Sequence, residues 1–138
     1  MRLAARLLLG VVLALVLAAV LVPNDWIAAA RAHWAWLNRP MIWIENLHSA
    51  LNLFHLLLFA LLGAVAALAL PAWPARRIAL ALLLLGIATE VAQIWIPGRD
   101  PRVSDALIDL VAGLAGWALP TALRAGWRRR DRAAIPDR

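Results

Sequence analysis

Four runs of apolar residues set the terms for this chain. They cover 3–22, 51–70, 78–96 and 103–123, each close to the ~20 residues that carry a helix across a bilayer. Of the 138 residues, 64% are hydrophobic, against about 45–50% in an ordinary soluble domain. The prolines at 23, 71, 74, 97, 101 and 120 lie at or near the ends of these runs, where a helix tolerates them. The connections 71–77 and 97–102 are short, so neighbouring runs form antiparallel hairpins. The expected fold is all-α: one integral-membrane four-helix bundle.

The first run carries Arg2 and Arg6 ahead of its apolar core, with an Ala-x-Ala at 30–32. That is the outline of a signal peptide, but the core exceeds the usual 7–15 residues and the Ala-x-Ala lies well downstream. A retained anchor is the better reading. All 14 basic residues are arginine, and the net charge is +6. They flank the apolar runs, which points to membrane topology rather than to nucleic acid. With the N-terminus cytoplasmic, ten arginines fall inside and only Arg31, Arg39, Arg99 and Arg102 outside. Both termini are then cytoplasmic. The basic tail 124–138 also suits contact with anionic lipid.

Between the first two runs, Ile27, Ala30, Trp34 and Leu37 recur at helical spacing, among Trp26, Trp36 and Trp43. Tryptophan favours the membrane–water boundary. This segment reads as an amphipathic helix lying on the outer surface. With no cysteine in the chain, disulfides, thiol nucleophiles and cysteine metal sites are excluded.

Glu90 interrupts the third run. A charged carboxylate at the centre of a span costs roughly 2.5–3.5 kcal/mol on insertion scales, so it needs a partner, a proton or water. Gln93 shares its helix face. His55, near the outer end of the second run, and Asp105 and Asp109, early in the fourth, fall on the same side at a similar depth, with Arg99 in the loop above. A polar stripe of Glu45, His48, Asn52 and His55, continued by Phe59, leads down towards them. Ala112, Gly113 and Gly116 continue the Asp105–Asp109 face and admit a close helix. In this arrangement His55, Glu90, Asp105 and Asp109 are the candidate acid–base groups, and Asn52, Gln93 and Arg99 the candidate ligand-binding ones. Each also has a plainer reading: Ser104 and Asp105 as helix caps, Arg99 paired with Asp100, the whole network as interhelical glue. His55, Glu90, Asp105 and Asp109 have no recognised metal-ligand spacing, so no metal or other cofactor is expected.

The order Glu90-x-x-Gln93, Pro97-Gly98-Arg99, Ser104-Asp105, Gly113 and Gly116, preceded by His55, Phe59 and Gly63, resembles the VanZ-like family of small bacterial membrane proteins. The resemblance spans about 52–116. The chain departs from the family pattern in four places. Leu51 and Asn52 stand where Asp-Lys is frequent, Phe59 replaces a tyrosine, Asp109 replaces an asparagine, and Gly113 falls one residue late. The resemblance implies a four-helix protein of the bacterial cell envelope, in a family whose founding members are associated with resistance to glycopeptide antibiotics. The expected partners are membrane lipids and lipid-linked glycan precursors. The competing reading is a non-enzymatic assembly factor whose polar cluster only holds the helices together. A proton path is disfavoured, because the chain beyond Asp109 and the stretch 59–70 are apolar.

Overall fold

The computed structural model describes residues 2–34, 36, 39, 42 and 50–133, with backbone alone at 2, 50–52, 54, 55 and 131–133. Among these residues the protein is all-α, with five helices and no strand. They are α1 (Arg2–Leu21), α2 (Asn24–His33), α3 (Ala50–Ala69), α4 (Ala75–Gln93) and α5 (Val103–Ala133). Two of the described helices are long and apolar enough to cross a membrane, over Leu3–Leu21 and Val103–Arg130. A shorter apolar stretch covers Leu56–Ala69. Helix α4 has Arg76, Arg77 and Glu90 among its 19 residues, and it does not meet the same measure.

Helix α1 is apolar on both sides. Val12, Val16 and Val20 recur every fourth residue and are buried against Phe59, Leu62, Val65 and Ala66 of α3 and Ile78 and Leu82 of α4. Leu3, Leu7, Val11 and Leu15 recur at the same spacing on the opposite face and are exposed. A helix apolar all round belongs inside a large core or in a lipid environment.

Helices α3 and α5 pack most closely, and glycine makes that possible. A Cβ built on Gly63 would lie 2.8 Å from the Gly113 carbonyl carbon and 3.0 Å from the Trp117 nitrogen. One built on Gly116 would lie 2.6 Å from the Ala60 carbonyl carbon. Main chain meets main chain here, as small residues allow between apolar helices.

Long-range hydrogen bonds fix the directions. Gln93, at the end of α4, donates to the Val20 carbonyl near the end of α1 at 3.0 Å. Arg124, late in α5, donates from Nη2 to the Ala67 carbonyl near the end of α3 at 2.8 Å. So α1 and α4 run one way, and α3 and α5 the other. One end of the bundle gathers Arg6, Arg76, Arg77, Arg124 and Arg128–Arg130. The other gathers Glu90, Asp100 and Asp105.

Two features differ from the sequence reading. Pro120 does not end the last helix: α5 runs through it to Ala133, so the first ten residues of the basic tail, 124–133, continue the helix. Proline cannot donate to the carbonyl four residues back, here that of Gly116. One residue later the Thr121 hydroxyl donates to the carbonyls of Trp117 and Ala118 at 3.0 and 2.7 Å. The segment expected to lie on the membrane surface is helical but shorter than expected, ending at His33. It has no buried residue, and Trp26, Trp34 and Trp36 are exposed. Trp43, Glu45 and His48 lie outside the described residues.

The last carbonyls of a helix lack partners within it, and a cation there also meets the negative end of the helix dipole. Arg124→Ala is therefore expected to destabilise the protein by about 1 kcal/mol, read as a lower midpoint in chemical unfolding. An unchanged midpoint would mean that another group satisfies Ala67.

Candidate functional site

Glu90 stands in the last turn of α4, three residues closer to a helix end than the apolar pattern suggested. Helix α4 stops at Gln93 because the hydrogen bonds of Ile94, Trp95 and Ile96 shorten to the residue three back, although these three side chains prolong the apolar run. A carboxylate is disfavoured at the C-terminus of its own helix. Glu90 resolves this by reaching across to the start of α5. Its Oε2 accepts the backbone N–H of Arg102 at 2.6 Å, immediately before the first helical residue, Val103. There it meets the positive end of the α5 dipole and takes a donor that the helix leaves open. A charged acceptor at this distance makes a strong hydrogen bond. Glu90 is only 8% exposed.

This explains why Ser104 is not the cap that its residue type suggested. It lies inside α5, and its hydroxyl donates to Asp105 Oδ1 at 3.2 Å. Asp105 is half-buried. Asp109, one turn further, is fully buried at 0% exposure. By backbone level, Glu90 faces Arg102, and Asp109 is two turns deeper along α5, about 10 Å at 1.5 Å per residue.

The register of α3 against α5 follows from Ala60 beside Gly116 and Ala67 beside Arg124. Continued backwards, it sets the backbone of His55 level with the turn that holds Asp109. The side chains of His55 and Asn52 lie outside the described residues. Phe59, one turn on from His55, is fully buried. Among the described residues, no three His, Cys, Asp or Glu groups are close enough to share a metal ion.

Gln93 and Arg99 serve a different neighbour, the end of α1. Gln93 is buried, and its amide donates to Val20. Arg99 donates from Nε and Nη2 to the Val22 carbonyl at 3.0 and 2.7 Å, and from Nη2 to the Ala19 carbonyl at 3.0 Å. Partial burial lowers its pKa from the ordinary value, but a guanidinium stays charged at neutral pH. Asp100 pairs with Arg102 at 3.1 Å, not with Arg99.

Two residues of this end were not singled out from the sequence. Arg102 supplies the N–H that binds Glu90 and presents an exposed side chain; its place just before Ser104-Asp105, at the mouth of a helix, was the available signal. Asn24 donates from Nδ2 to the Gly98 carbonyl. Gly98 has φ +75°, a left-handed conformation that glycine adopts without strain. That turn returns the chain from α4 to α5 and brings Arg99 over α1. Together these contacts join the α1–α2 junction, the 97–102 loop and the start of α5 around the two buried carboxylates.

Comparison with known proteins agrees with the motif order. The VanZ/LLP1 family model matches residues 7–124, which takes in most of α1, all of α2, α3 and α4, the site and most of α5. No curated protein and no solved structure matches the chain. On the extent of the family match, the chain belongs to the VanZ/LLP1 family.

Proposed function

We propose that this VanZ-like protein is a four-span protein of the bacterial inner membrane, with both termini cytoplasmic, that binds an envelope lipid or lipid-linked glycan precursor at its outward-facing end. The membrane reading is supported by the exposed apolar face of α1 and by two helices of spanning length. The orientation is supported by charge: the arginine-rich end belongs inside. Helices α3 and α4 then complete the bundle as the second and third spans.

The observation that carries the binding reading is the burial of two carboxylates, Glu90 and Asp109, from different helices at the end opposite Arg76, Arg77 and Arg124. Buried ionisable groups in a membrane domain mark sites of function by default. In this reading Glu90 and Asp109 exchange protons with a bound polar group, with His55 as their partner, and Asp105, Asn52 and Gln93 complete the polar surround. Protection against glycopeptide antibiotics is one phenotype such binding would produce. A second reading has its own support. Glu90 joins two helices through the Arg102 N–H, as expected of a purely structural clamp in an assembly factor.

Glu90→Gln separates the two. Glutamine keeps a carbonyl that can accept the Arg102 N–H but removes the ionisable oxygen. A deletion strain should be complemented by the wild type and not by this variant, although the variant reaches the membrane in normal amount. Envelope precursor and lipid profiles should show the same contrast. Full complementation by the variant would rule out the proton-exchanging site and favour the clamp.

A further inference from the structure

A furrow of about 220 Å³ runs between the end of α4 and the start of α5. Ile87, Val91 and Ile94 form one wall, Pro101, Val103 and Ala106 the other, and Glu90 lies between them. Arg102 stands at one end. The outer edges of both walls are exposed: Val103 is 80% accessible and Ile94 62%. In the membrane reading proposed above, on which this inference rests, those edges face lipid, so the furrow opens sideways into the bilayer near its outer boundary.

We propose that this furrow is a lateral docking site for one chain of an anionic phospholipid, with Arg102 holding the phosphate. The walls suit a hydrocarbon chain and little else. The charge suits an anion. The Arg102 side chain is 58% exposed, and its ion pair with Asp100, itself 79% exposed, is of the weak, solvent-screened kind. A phosphate offers the same guanidinium a bidentate pairing at little cost in lost contacts. Arg99 is less suited, since its Nε and Nη2 already hold Ala19 and Val22. The Glu90 carboxylate does not repel this ligand strongly, because Oε2 is drawn towards the Arg102 N–H and only 8% of the residue is exposed. The lipid therefore enters from the side, with its head group beside the 97–102 loop.

The test uses the full-length protein in phosphatidylcholine vesicles containing a small fraction of phosphatidylglycerol with a photoreactive group in mid-chain. Illumination should label peptides within 87–106. Arg102→Gln keeps the backbone N–H that binds Glu90 and should reduce labelling at least fivefold. Val91→Trp fills the furrow and should reduce it similarly, with labelling elsewhere on the protein unchanged as the control for folding. Photoreactive phosphatidylcholine should label the segment less than one-fifth as well. Equal labelling by the two lipids, or labelling indifferent to Arg102→Gln, would overturn the proposal. Labelling reads occupancy and complementation reads its consequence, so the two can fail separately. Labelling independent of Arg102 leaves a Glu90 phenotype standing. A silent Glu90→Gln leaves an Arg102-dependent furrow standing.

Discussion

Gly116→Ala is expected to destabilise the protein by about 3 kcal/mol or more, at or above the usual upper bound for overpacking. The added Cβ would overlap the Ala60 carbonyl oxygen and lie 2.6 Å from its carbon and 2.9 Å from Ala60 Cα. All three are main-chain atoms, so no side chain can rotate to make room. Helices α3 and α5 must separate, and their separation also draws Arg124 away from Ala67. The control is Gly126→Ala on the same helix, where an added Cβ meets nothing within 4 Å. There the change should stabilise slightly, by about 0.5–1 kcal/mol, because alanine is the better helix former. Thermal unfolding of the purified proteins in one detergent should therefore move in opposite directions. If both variants melt like the wild type, the close approach of these helices is not what holds the bundle.

Arg99→Ala is expected to loosen the C-terminal end of α1. It removes three hydrogen bonds from a charged donor group to the carbonyls of Ala19 and Val22. Hydrogen bonds to charged groups contribute about 1.5–3 kcal/mol, and losing this set should cost about 2 kcal/mol locally. The junction 19–24 should then be cleaved roughly thirtyfold faster by protease under conditions where opening precedes cleavage. Arg99→Lys should recover only part of the protection, since a single ammonium cannot span two carbonyls as a guanidinium does. Protection unchanged in the alanine variant would mean that Gln93 and Asn24 alone secure this end.

The pattern that built the fold was legible wherever it was local. The apolar runs marked α1, α3, α4 and α5, and the glycines at 113 and 116 marked the face where a helix approaches. The misplacements have physical causes. The third run continued apolar through Ile94–Ile96 while its α-helical hydrogen bonding stopped at Gln93, so hydropathy alone placed Glu90 too deep. Pro120 looked like a terminator, yet α5 continues through it: one hydrogen bond is lost, the Thr121 hydroxyl bonds the carbonyls of Trp117 and Ala118, and Arg124 holds the Ala67 carbonyl. Ser104 has the composition of a cap, but the cap comes from another helix through Glu90. Arg99 was placed above the acidic groups as an anion holder; its carbonyl partners lie 77 and 80 positions away, and no local pattern records such a pairing. Convergence of the acidic residues at one end followed from counting helices, whereas the division of labour among Glu90, Gln93 and Arg99 needed the third dimension.

The clasp at the end of α1 also bears on the order of events during synthesis. The carbonyls of Ala19 and Val22 are made before the arginine that completes them, which follows 80 and 77 residues later. At about 5–20 residues per second the delay is about 4–16 s. Through that interval α1 holds its place by its apolar surface alone, without the contact that fixes its C-terminal end. The final seating of α1 thus waits until α4 and the turn at Gly98 have formed.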